Sequence, residues 1–194
     1  LVHRQMRANA LEDAQERAAL LLNHNLAIHT YFTHQLKPAA FRLTDSLNVE
    51  APFDPAWMSS TYAVGEMDRY FRSLGDSTYY YKECAVGARN PANEADAFER
   101  AFLEELNRDS TLTVRADTRM LNSVPFYAVL RRGETMEEAC MQCHSTPDRA
   151  PPGLVERYGA AWGFDREPGE VVSAVSIRIP LAVPYARADQ MTQR

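Results

Sequence analysis

The residues best suited to chemistry form one run, Cys140-Met141-Gln142-Cys143-His144. Two thiols at this spacing can each form a thioether with a vinyl group of one porphyrin. The adjacent imidazole is then placed to bind the iron from one face. C-x-x-C-H is the attachment signature of a c-type haem, so the expectation is one covalent haem c on Cys140 and Cys143, with His144 as proximal iron ligand. Two other chemistries use a C-x-x-C pair. A thioredoxin-type dithiol expects a βαβ surrounding, and a zinc site needs two more close ligands. The sequence offers neither, and both would leave the protein colourless.

Iron has a second axial position. Four of the five histidines fall in the first 34 residues: His3, His24, His29 and His34. The last three are spaced by five, so they fan around a helix and make no i, i+4 metal pair. His24 sits among Leu20, Ala27, Ile28 and Tyr31, and His29 among Leu22, Leu26, Phe32 and Leu36. His24 or His29 is therefore the distal candidate. His34, Met120, Cys84 and an open site are the alternatives. Cys84 is the thiol left over; its plain reading is a small buried hydrophobe in a strand. Arg89, Arg115 and Arg119 could pair with haem propionates, although surface arginines are the default. The acidic residues read as solvated faces, and no nucleophile–base arrangement or phosphate loop is found, so no enzymatic activity is expected.

These residues need elements to position them. Residues 4–37 are rich in helix formers and carry an apolar stripe through Leu11, Ala14, Ala18, Leu21, Leu26 and Phe32. Lys37-Pro38 should end this helix, with a further short helix to Leu47 and another within 55–75. Strands are expected at 78–85, 112–121 and 124–131, and most clearly from Val171 to Pro180, where large aliphatics alternate. A helix should run from Asn93 or Glu94 to Asn107, and another over 134–143 should present the cysteine run. Residues 181–194 are polar and helical in pattern. The order predicts an α+β fold: a PAS-like antiparallel sheet with helices on one side and a long N-terminal helix. Its expected divisions are that helix (1–37), a haem-binding domain (38–180) and an exit segment (181–194).

A chain of 194 residues with net charge −5 and pI near 5.6 has no basic stripe, so nucleic acid is not an expected partner. No apolar run is long enough to cross a membrane. The start, Leu1-Val2-His3-Arg4-Gln5, lacks an initiator Met and a signal-type apolar region. Because haem is attached to such runs outside the cytoplasm, the expectation is a piece of a longer, exported or membrane-anchored protein.

Several runs together resemble a known family. They are Tyr80-Tyr81-Lys82-Glu83, Arg89-Asn90-Pro91-Ala92-Asn93 with Phe98-Glu99, Cys140 through Pro147, Tyr158-Gly159, Gly163-Phe164 and Gly169-Glu170-Val171. The family is that of single-haem, c-type, PAS-like domains of bacterial chemoreceptors and histidine kinases, also found as stand-alone proteins. The resemblance covers about 31–180. It implies a PAS-like fold, haem on Cys140 and Cys143, and ligation by His144. In stand-alone relatives a cysteine of the N-terminal helix region can be the other ligand; this chain has no cysteine before Cys84, so that ligand does not carry over.

The expected function is therefore a periplasmic haem c sensor domain of an inner-membrane receptor, responding to redox state or a small ligand. Its expected partners are a second copy through the N-terminal helix, the rest of the receptor through membrane helices, and a small molecule or redox partner. A stand-alone electron-transfer cytochrome is the rival, needing the same motif but no long helix. A peroxidase-like reading would need a distal acid–base residue that the sequence does not reveal.

Overall fold

The computed structural model describes residues 2–47, 52–75 and 78–191. The expected loop after Leu47 and the turn at Asp76-Ser77 fall largely outside them. Helix α1 (Val2–Tyr31) runs through a π-helical turn (Phe32–Leu36) into α2 (Lys37–Ser46). The helical run thus continues past Pro38, where the sequence predicts a stop. The wider turn explains this. The Lys37 N–H donates to the Phe32 carbonyl, five residues back, and proline is tolerated in a first helical turn, where its missing N–H is not needed.

Helices α3 (Pro55–Met58) and α4 (Ser60–Ser73) follow, each started by a side-chain cap from Asp54 or Ser59. Then come β1 (Tyr80–Ala85), α5 (Ala97–Leu106), β2 (Val114–Leu121) and β3 (Val124–Arg132). Helix α5 begins later than expected. Asp96 and Glu99 form a capping box, while Asn90 caps only a short turn at Pro91–Asn93. A two-residue turn joins β2 to β3 with positive φ at Asn122 and Ser123. The short helices α6 (Met141–His144) and α7 (Leu154–Tyr158) precede β4 (Ser173–Pro180) and α8 (Ala182–Met191).

The four strands form one antiparallel sheet in the order β1-β4-β3-β2. Strand alternation sends Tyr79, Tyr81, Val129, Val175, Ile177 and Ile179 to one face. There they meet Ala14, Ala18 and Leu21 of α1. Small residues on α1 let the helix sit close to the sheet. Each fully buried aliphatic contributes on the order of 1.5–3 kcal/mol. Cys84, Leu130 and Ala174 point to the other face and pack on Phe102, Leu103 and Leu106 of α5. The α+β, PAS-like layout with a long first helix is as expected; α5 covers the face opposite α1, so the sheet has helices on both sides.

Candidate functional site

β1 is an edge strand: among the described strands it pairs with β4, and its last residue, Ala85, also bridges Glu94. Along it lies a cavity of about 580 Å³, within the roughly 300–1,000 Å³ typical of cofactor sites. Its walls come from β1, α4, the start of α2 with Lys37 and Phe41, the loop Gly87–Asn93, and Cys140, Cys143 and His144.

The cysteine run is fixed from both sides. Before it, Met136 N–H donates to the Glu170 carbonyl and Gly169 N–H to the Met136 carbonyl, both at 2.8 Å. After it, Asp165 N–H donates to the Ser145 carbonyl at 2.6 Å and Arg166 N–H to the His144 carbonyl at 3.1 Å. Residues 134–137 are not helical as predicted. Thr135 bridges Val171 instead, and only Glu138–Cys140 and α6 coil.

His144 Nδ1 lies 2.7 Å from the Gly163 carbonyl oxygen. A carbonyl only accepts, so Nδ1 carries the hydrogen and the Nε2 lone pair is left for a metal. Burial, then the Arg89 charge, push its pKa down to about 4, so the ring is neutral near pH 7. This is how a protein commonly holds a metal-binding imidazole. Cys140 and Cys143 are free thiols on the same wall. The donor set and the cavity thus fit a haem, and Cys140, Cys143 and His144 are the residues that would hold it.

Arg89 binds this region from the opposite loop. Its Nη2 donates to the Cys143 carbonyl at 2.7 Å and to the Gly163 carbonyl at 2.8 Å, and its guanidinium lies over the Phe164 ring, 4.6 Å from the centroid. Gly163 has φ +76°, and a Cβ there would come within 3.0 Å of Arg89 Nε. Glycine is therefore required on both backbone and steric grounds.

The remaining candidates separate. His24 is exposed and stacks at a tilt on Phe71, and His34 is exposed. Met120 is exposed on β2. Cys84 is buried, donates to the Ala174 carbonyl at 3.1 Å, and has its pKa pushed up to about 12, chiefly by burial. Arg115 pairs with Glu105 and Arg119 covers Phe98, so of the three arginines only Arg89 lines the cavity. His29 does not line it either, but its Nε2 is 2.6 Å from Oε1 of Glu134, which does.

The expectation of solvated acidic residues fails at Glu83, Glu99 and Asp68, which are buried. Glu83 and Glu134 line the cavity, and with His29 they bring three ligand-type atoms within 4.8 Å of one another. The Ser60 hydroxyl donates to Glu134 at 2.8 Å. Burial and then the Glu134 charge raise the Glu83 pKa to about 7. Burial also pushes Glu134 up, but the bond and charge of His29 outweigh it and leave Glu134 below the ordinary carboxylate range. His29 is raised, mainly by its bond to Glu134. One signal in the sequence pointed at Glu83: it shares the period of Tyr79 and Tyr81, hence the core face of β1.

Among solved structures, the chain is similar to that titled as the cyanobacterial heme-protein Tll0287. The TM-score is 0.63 at 15% identity, covering 87% of this chain and 95% of that one. That likeness shows the shared fold. No functionally curated protein matches the chain. A family model described as Tll0287-like matches residues 6–180. The chain belongs to the Tll0287-like family.

Proposed function

We propose that this chain is a haem c sensor domain of a membrane-bound receptor, facing the periplasm, and not an enzyme. The observation that carries the reading is the neutral His144, with its Nδ1–H on the Gly163 carbonyl, beside two free thiols in one cavity wall. The haem protein among the similar structures supports the same assignment. The bound group would supply a one-electron couple and an iron able to take a further ligand; the protein sets ligation, burial and nearby charge.

For the distal position His29 is the better of the two candidates. Its Nε2 bonds the cavity-lining Glu134 and would leave that carboxylate to reach the iron, whereas His24 is exposed and turned to Phe71. The receptor context is supported by the helix ends. His3 and Arg7 of α1 both reach Asp189 of α8, at 2.6 and 3.0 Å, so the start of α1 and the end of α8 lie together. From there α1 runs to His29 and, through the π turn, to Lys37 of α2 in the cavity wall. A change at the cavity can thus act on the same helix that meets α8. Leu20 and Tyr31, exposed on α1, are surface that a second copy could cover.

The test is an absorption spectrum, oxidised and reduced, with a pyridine assay, on protein expressed with haem-attachment machinery. A covalent c-type haem is expected, lost on Cys140→Ala with Cys143→Ala. A colourless wild type would refute the reading. His29→Ala should convert low-spin ferric bands to high-spin; unchanged bands would remove His29.

A further inference from the structure

We propose that Arg89 is a positioning residue for His144: by sharing the Gly163 carbonyl it weakens the imidazole's hydrogen bond, and with its charge it raises the reduction potential of the haem. This rests on the haem reading above. The geometry is specific. Gly163 O accepts from His144 Nδ1 at 2.7 Å and from Arg89 Nη2 at 2.8 Å, and the same Nη2 reaches the Cys143 carbonyl. One guanidinium thus fixes the carbonyl of an attachment residue and the carbonyl that orients the iron ligand.

The chemistry follows from competition for one acceptor. The partner of a metal-bound imidazole's second N–H raises the ligand's basicity and so stabilises the more highly charged metal. A charge-assisted donor on the same oxygen takes part of that acceptor strength away. The positive charge beside the ligand acts in the same direction, disfavouring ferric iron. No carboxylate reaches the Arg89 side chain within ion-pair distance among the described residues, and its Nε is buried without a hydrogen-bond partner there. Its charge is therefore poorly compensated by the protein. Gly163 has φ +76°, and a Cβ there would crowd Arg89 Nε at 3.0 Å, so a larger residue would press on the guanidinium.

The experiment uses the haem-loaded protein with Arg89→Gln and Arg89→Lys. It measures the midpoint potential by one-electron titration with dithionite and, with His29→Ala added so that the ferrous iron is five-coordinate, the iron–histidine stretch by resonance Raman. For Arg89→Gln, the ferrous-to-ferric ratio at fixed potential should fall about tenfold, which is ~59 mV for a one-electron couple. The stretching band should move up, since Gly163 then serves His144 alone. Arg89→Lys keeps the charge, so its ratio should stay within about threefold of wild type while the band still rises. Wild-type potential and band in a haem-loaded Arg89→Gln protein would overturn the proposal, as would a fall in Arg89→Lys as large as in Arg89→Gln. Should Arg89→Gln fail to load haem, Arg89→Lys decides through its band, and an unmoved band overturns the proposal. A wild type without covalent haem in the pyridine assay would instead bring down the underlying reading.

Discussion

Lys82 and Glu83 are neighbours in β1, yet their side chains enter opposite chemistry. Lys82 points toward α5, where its Nζ is 2.6 Å from Glu99 Oε2; Arg178 Nη2 is 2.9 Å from Glu99 Oε1. Glu99 is 0% exposed. It also accepts the Asp96 N–H that completes the α5 capping box. Two cations, the Tyr80 hydroxyl and a backbone donor surround one carboxylate. Glu83 points toward α1, where it and Glu134 share one imidazole, His29. In the cavity wall the imidazole bonds Glu134, on which the Lys37 charge also acts, while Glu83 accepts from the Ser173 hydroxyl at 3.4 Å. The first cluster is closed and structural. The second keeps uncompensated charge where an occupant of the cavity can respond to it, the kind of perturbed titratable group that gathers at functional sites.

The sharpest way to break the comparison is to remove the centre of each cluster. Glu99→Ala should destabilise the protein by about 3–5 kcal/mol, because it leaves the largely buried Lys82 with the Glu94 carbonyl and no carboxylate, and Arg178 with Asp96 alone of its two carboxylates. Urea unfolding measures this, and a loss under ~1 kcal/mol would show that the cluster is not the closed unit described. Glu83→Gln should do the reverse at pH 8. The sign follows from its pKa, raised to about 7 from the ordinary 4.5 by burial and the Glu134 charge. A raised acid favours its protonated form in the fold, so the contribution of Glu83 to stability is fully present below about pH 4.5 and is lost as pH rises through 7. The shift corresponds to roughly 3 kcal/mol at most. Gln mimics the protonated acid. The variant should therefore gain on wild type as pH goes from 5 to 8, measured as the difference in urea midpoint at each pH. A constant difference would mean that Glu83 titrates normally. In haem-free protein His29, raised mainly by its Glu134 bond, adds loss in the same direction above its ordinary range, so part of the wild-type slope should remain there in Glu83→Gln.

The two clusters were also unequally legible in the sequence. The cysteine run is readable because covalent attachment demands fixed spacing, and β4 because its aliphatics alternate. The His29–Glu134–Glu83 group draws on α1, the segment after β3, and β1. No local pattern joins residues so far apart, and burial of a charge depends on partners that only the fold supplies. Arg89 was legible as a cation near the site but not in its use, since carbonyl acceptors leave no mark in the sequence. The passage of the helix through Pro38 was hidden for another reason: the π turn that absorbs it has no residue signature of its own.

A third ion cluster tests whether exposure, and not the number of partners, separates structural from idle charge. Asp189 on α8 meets His3 and Arg7 of α1, and so matches Glu99 in meeting two basic side chains among the described residues. Its side chain is 43% exposed, against 0% for Glu99. Water and salt screen such a group, so Asp189→Asn should leave the global urea midpoint unchanged. The hydrogen bonds of its carboxylate nevertheless hold its pKa below the ordinary range, His3 most of all, so the contact exists and should be visible locally. Amide exchange along 185–191 should therefore quicken in Asp189→Asn, and in wild type on adding salt, while 97–106 beside Glu99 stays protected. Equal quickening in both segments would mean that burial does not set the two clusters apart, and the contrast between the faces of β1 would then need another cause.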